Sequence, residues 1–201
     1  MGDVQLLKEW INPLYLVQET IAQISPTFYA HQELPSIQLS NFFLEEKAEH
    51  VRKVLDKLSW KKNYIPHMHS FHKPANEKTL ASLYSLLNSS GFKSLLGTML
   101  KKEFKNIIIE PLQFQHGDYT LLHDTYEQEK GIVCYLDFTK NWSEDFWGQL
   151  IFTTKAEPII FPRIFNAAHI VQITEDAQCF VKYVNSAVGK NKVYLVKVTM
   201  H

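Results

Sequence analysis

The sequence predicts an α+β fold in which helices pack on the outside of an antiparallel sandwich or open barrel. Two observations carry this. Through roughly the first hundred positions, apolar residues recur at three- and four-residue steps, as on one face of a helix. After Lys105 the texture changes. "NIIIEPLQF", "YTLLH", "GIVCYLDF", "GQLIFTT", "EPIIF", "AAHIVQI", "QCFVKYV" and "KVYLVKV" follow in close succession, each short, β-prone and bounded by turn residues.

Taken in order, residues 3–24 place Val4, Leu7, Ile11, Leu14 and Val17 on one helical stripe interrupted by Pro13, which predicts one or two short helices. "LPSIQLSNFF" alternates and reads as a strand. From Leu44 to Leu58, the stripe Ala48, Val51, Val54, Leu55 and Leu58 predicts a helix, with Glu45, Glu46 and Glu49 near its N-terminal end where the dipole favours them. Further helices are expected over Glu77–Leu87 and Phe92–Lys101, separated by "NSSG". No linker divides the chain. One domain over residues 1–201 is expected, mainly helical with one or two strands to about residue 105 and built of strands over 106–201.

Composition excludes some functions. Lys+Arg and Asp+Glu are equal at 21 each, so no global charge draws the chain to nucleic acid or acidic membranes. No apolar run approaches the roughly 18 residues of a membrane span, and "MGDVQLLKEW" lacks the order of a secretory signal, so a cytoplasmic protein is expected. Leu6 stands where a myristoylation signal carries Ser or Thr. Cys134 and Cys179 are expected as free thiols.

Chemistry-bearing motifs are sparse. "HMHSFH" places His67, His69 and His72 together, but between Pro66 and Pro74 it reads as a surface loop. His169 lies in a β-prone run and is expected to be a satisfied sheet histidine. No G-x-S-x-G, phosphate-binding loop or C-x-x-C is present. There remains "GDYTLLHDTYEQ", an alternating stretch that carries His123 beside Asp124.

Several segments together resemble the Fe(II)- and 2-oxoglutarate-dependent dioxygenases, in their prolyl-hydroxylase-like branch. "LPSIQLSNFFLEEKAEHVRKVL" resembles the branch's first strand and following helix, and "LYSLLNSSGFKSLLGTML" its helical run ahead of the barrel. "GDYTLLHD" resembles the strand of the first iron ligand, with Gly117 six residues before His123. "CYLDFTKNWSEDFWGQLIF" and "FPRIFNAAHIVQI" resemble the strands that lead to the distal histidine. The resemblance covers most of the chain and implies a double-stranded β-helix, or jelly-roll, with N-terminal helices.

It also implies Fe(II) and 2-oxoglutarate as cofactors, the iron held by two histidines and a carboxylate. Here the motif departs from the family. His123 takes the first ligand position, but the carboxylate position two residues on is Thr125; Asp124 is adjacent, and a regular strand turns it to the opposite face. The distal histidine position holds Cys179, or Gln178 if the loop shifts by one. The arginine that meets the keto acid is replaced by Lys192, and the tyrosine expected nine residues before the first ligand by Phe114. Arg52 and Arg163 are the chain's only arginines, and neither obviously substitutes.

Departures at four demanding positions favour a non-catalytic pseudo-oxygenase whose cleft or rim binds a peptide or protein partner. Two other functions are compatible with the residues. One is an active dioxygenase that hydroxylates a prolyl or similar side chain through an atypical site of His123, Asp124 and Cys179. The other is a small-molecule or metal-binding module in which "HMHSFH" reaches the cleft mouth.

Overall fold

The computed structural model describes residues 2–121, 131–154 and 157–201. Its helices are α1 (Asp3–Trp10), α2 (Gln18–Phe28), α3 (Glu45–Lys57), α4 (Ala81–Asn88) and α5 (Ser90–Leu100), with a short 3-10 turn over Pro13–Leu16. Local chemistry sets their ends. The Asn12 side chain accepts from Leu14 N ahead of Pro13, a residue whose fixed φ suits a first helical position. The "NSSG" break works in the same way: α4 stops at Asn88, and the Ser89 hydroxyl accepts from Phe92 N to start α5 one residue later. In α3, Ala48, Val51 and Leu55 form the buried stripe, with Glu45 and Glu46 in the first turn and Lys57 in the last.

The strands are β1 (Ser36–Leu39), β2 (Trp60–Ile65), β3 (His69–Pro74), β4 (Ile107–Phe114), β5 (Tyr119–Thr120), β6 (Gly131–Asp137), β7 (Leu150–Thr153), β8 (Ile159–Phe161), β9 (Ala167–Ile173), β10 (Gln178–Val181) and β11 (Val193–Met200). Among the described residues they form an eight-stranded sheet in the order β1-β9-β6-β11-β4-β3-β2, with β5 on β3, and a three-stranded sheet in the order β10-β7-β8. Every pairing is antiparallel. The α+β jelly-roll with helices outside is therefore the fold observed.

Both faces of the large sheet are covered. Ile132, Cys134 and Leu136 of β6, with Tyr194, Val196 and Val198 of β11, pack into a core shared with the helices. Their alternates Val133, Tyr135, Val193 and Leu195 meet Leu150, Phe152, Phe161 and Val181 of the small sheet in a second core. Two-sided burial explains why "GIVCYLD" and "VYLVKV" read as near-continuous apolar runs.

The histidine segment is not a surface loop. It forms a hairpin in which β2 pairs with β3 about the Pro66–Met68 turn. A second departure is β5, which covers only Tyr119 and Thr120 of the expected strand "YTLLH"; Leu122 and His123 lie outside the described residues.

Asn166 ties the two ends of the fold together. Held at φ 61, it donates its backbone N–H to Asp137 O and accepts from Phe42 N at 2.8 Å, while its side chain exchanges two 2.9 Å bonds with the Phe43 backbone. Asparagine tolerates this left-handed conformation, and its amide supplies both a donor and an acceptor. Asn166→Ala is expected to lower stability by about 3 kcal/mol, from two orphaned buried backbone groups and the strained φ, as read by urea denaturation.

Candidate functional site

The candidate groups lie on the inner face of the large sheet, which faces the small one. Strand register places Gln38 opposite His169, His169 opposite Tyr135, Tyr135 opposite Lys197 and Lys197 opposite Glu110. A polar row thus crosses β1, β9, β6, β11 and β4 on the inner face, which also carries Asp137 and Thr199. It runs from a fully buried His169 to a partly exposed Lys197 and Glu110. At the exposed end Glu110 accepts from Lys73 at 2.8 Å and lies 3.6 Å from Lys197. Burial alone would raise its pKa; the Lys73 hydrogen bond and the Lys197 charge outweigh this and hold the carboxyl below its ordinary range.

Cys179 enters from the small sheet, where β10 pairs it with Phe152. Its Sγ lies 3.7 Å from the Tyr135 hydroxyl. Burial pushes the thiol up to about 12, against the opposing pull of the Tyr135 hydrogen bond and the Lys197 and Arg163 charges. The group facing the cleft at neutral pH is a protonated thiol. Cys134 is buried on the helix side, and both cysteines are free.

Deeper in the cleft sits a trio that sequence reasoning missed. Arg163, on the connection from β8 to β9, has a fully buried side chain with Nη1 3.4 Å from Asp137 Oδ2. The same Asp137 oxygen lies 3.9 Å from His169 Nε2, while Asp137 Oδ1 accepts from Thr139 N. Among the described residues, Nε, Nη1 and Nη2 of Arg163 lack a hydrogen-bond partner. His169 is therefore a buried sheet histidine, as expected, with Asp137 as its polar neighbour; its ring lies 4.8 Å from that of Phe161. Arg163 places its charge among Asp137, Cys179 and Tyr135. Its signal in the sequence is a lone arginine inside the apolar run "IIFPRIF"; that of Lys197 is a lone charge two residues beyond Leu195 in an alternating strand.

Of the positions singled out by the resemblance, His123, Asp124 and Thr125 lie outside the described residues. The structure brings Phe114 and Lys192 to one end of the β4–β11 ladder, where Phe114 pairs with Val193. Phe114 is fully buried against Phe71, and Lys192 is half-buried just before β11. Gln178 is exposed at the start of β10. In the β2–β3 hairpin, His72 Nδ1 lies 3.1 Å from Asp118 Oδ2, and Ser70 donates to the other Asp118 oxygen. Among the described residues no group of three His, Cys, Asp or Glu side chains is placed to hold a metal ion.

Burial drives the pKa of His169 down; Asp137 opposes this, and Arg163 reinforces it. A histidine held neutral in the folded state binds its proton more readily once unfolded. Stability is therefore full above the unfolded pKa of about 6.5 and falls as the pH drops below it towards the folded pKa. The urea midpoint is expected to fall between pH 7.5 and pH 5.5, and His169→Leu to reduce that fall.

Among the described residues no helix is long and apolar enough to cross a membrane. Comparison with curated proteins finds no match. Solved structures do resemble the chain. A prolyl hydroxylase from Trichoplax adhaerens, in complex with a hypoxia inducible factor oxygen degradation domain peptide fragment, shares 12% identity over 100% of this chain and 93% of its own, with a TM-score of 0.66. An oxidoreductase of the 2OG-Fe(II) oxygenase family from Burkholderia pseudomallei shares 8% identity over 90% and 89%, with a TM-score of 0.64. A prolyl-4-hydroxylase from Pseudomonas putida shares 11% over 90% and 98%, with a TM-score of 0.59. At such identities these structures establish the fold. The family follows from the match of residues 2–158 to a family model: the chain belongs to the family described as "Oxoglutarate and iron-dependent oxygenase degradation C-term".

Proposed function

We propose that this chain is a non-catalytic member of the oxygenase fold, a pseudo-oxygenase whose cleft and rim bind a peptide or protein partner. The observation that carries the reading is Cys179. It stands where the resemblance expects the distal iron-binding histidine, and it is a half-buried thiol 3.7 Å from the Tyr135 hydroxyl, with its pKa pushed up by desolvation. Iron binds thiolate, not thiol, and a thiol pushed up to about 12 gives up its proton reluctantly. The Arg163 guanidinium close by opposes a second cation. The donor set, with Thr125 in the carboxylate position, does not fit Fe(II), and Lys192 with Phe114 lacks the paired donors for 2-oxoglutarate. Partner binding is supported by the Trichoplax neighbour, which carries a peptide fragment.

Anaerobic titration with Fe(II) and 2-oxoglutarate is expected to show no stoichiometric iron, and admission of dioxygen afterwards no keto-acid-dependent turnover, whereas Thr125→Asp with Cys179→His gains iron binding. Stoichiometric iron lost in His123→Ala, with turnover, would show an active dioxygenase instead.

The thiol has its own test. Native protein is expected to react with iodoacetamide at pH 8 at least about tenfold more slowly than a free cysteine, and to label at both cysteines once unfolded in urea. Rapid native labelling of Cys179 would indicate a thiolate and remove the main support for the reading.

A further inference from the structure

We propose that a basic groove along α5 is a docking surface for an acidic polypeptide segment, one rich in unmodified aspartate and glutamate. It lies on the helical side of the fold, apart from the groups between the sheets, and does not depend on whether those groups bind a metal. A cavity of about 590 Å³ is lined by Lys93, Ser94 and Thr98 of α5 and by Lys101, Lys102 and Lys105 of the segment that follows. Its wall depends on Gly97. A Cβ there would lie 2.6 Å from Lys102 O, so glycine is what lets the chain fold back this close to the helix. The returning segment is held by Lys93 Nζ, which donates to Lys105 O at 3.1 Å, and by the Lys102 N–H, which donates to Gly97 O at 3.0 Å. Phe104 anchors it against the helix-side core.

Charge selects the sign of the occupant. The whole chain balances 21 basic with 21 acidic residues, yet four lysines line this groove against one carboxylate, Glu103. Asp3 stands at its margin, where it accepts from the Ser90 hydroxyl. Lysines at a helix C-terminus ordinarily answer the dipole, which accounts for Lys101 and Lys102. Lys93, by contrast, stands near the N-terminal end of α5, where the dipole disfavours it, and Lys105 lies beyond the helix. Among the described residues, the ammonium groups of Lys101, Lys102 and Lys105 make no hydrogen bond or ion pair, and neither does the Ser94 hydroxyl. Residue type selects the class. Both arginines lie elsewhere; a phosphoryl group is best held by a guanidinium fork, whereas lysines act on carboxylates as point charges. The lining offers no exposed large hydrophobic residue to enter a bilayer, and Phe104 is packed against the core rather than presented for base stacking.

The probe is a fluorescein-labelled octapeptide of alternating aspartate and glutamate, titrated with the full-length protein and read by anisotropy. Saturable binding is expected, weakening as sodium chloride is raised, because exposed charge pairs are screened. Lys101→Glu with Lys102→Glu is expected to weaken binding at least about tenfold, whereas the same charge change on β2, Lys61→Glu with Lys62→Glu, changes it less than about twofold. Because reversal beside the helix cap can itself perturb folding, Ser94→Glu gives an independent reading from the exposed face of α5. It is expected to weaken binding at least about threefold with the melting temperature unchanged. Absence of saturable binding would overturn the proposal, as would equal weakening by the β2 variant or undiminished binding by Ser94→Glu. Tighter binding of a phosphoserine peptide of equal net charge, of an oligothymidylate or of phosphatidylserine vesicles would also overturn it, since each assigns the groove to another class of ligand.

Discussion

The two-sided burial of β6 and β11 is the constraint on which the rest of the molecule depends. These strands share the helical core on one face and the cleft on the other, so their register cannot drift. A slip of one residue would turn Cys134 and Val196 into the cleft and drive Tyr135 and Lys197 under the helices. A charged ammonium moved into that apolar layer would cost several kcal/mol. Core packing and cleft chemistry therefore specify one register together. The polar row from His169 to Glu110 is a consequence of packing as much as a feature of the site.

The same constraint explains how the fold tolerates an expensive interior. Arg163, Asp137 and His169 lie where both sheets exclude water, and their hydrogen bonds are incomplete. Hydrophobic replacements at such sites are often neutral or stabilising. Offsetting stability comes from the helix-side core, in which Phe28, Phe42, Leu83, Leu86 and Phe92 are fully buried. Asn166 links the two regions directly, through its backbone N–H to Asp137 O and its side chain to Phe43.

Much of this was legible in the sequence, where a segment's local pattern matched its tertiary setting. The stripe Ala48, Val51 and Leu55 named α3, and the apolar run before Asp137 named β6. The β2–β3 hairpin was not legible. "WKKNYIPHMHSFHKP" carries charges and prolines, and its strands are held by edge pairing more than by an apolar face. Cys179 was reached by resemblance, and its contact with Tyr135 joins residues that are 44 positions apart. Arg163 was invisible as a site residue because neither Asp137 nor His169 is near it in a motif; only the β6–β9 register brings those two together.

Electrostatics links the residues of the cleft. The Arg163 charge lowers the pKa of Cys179, yet burial dominates and leaves the thiol neutral. It also lowers the pKa of His169, against the pull of Asp137. One buried guanidinium thus helps keep the imidazole uncharged while the thiol beside it retains its proton. A ferrous ion requires the opposite balance, with deprotonated donors and fixed negative charge around it. In this low-dielectric interior an added cation meets the positive charge of Arg163 already in place. On the proposed reading, the scaffold of an iron oxygenase keeps its fold while the groups in its interior no longer favour the metal.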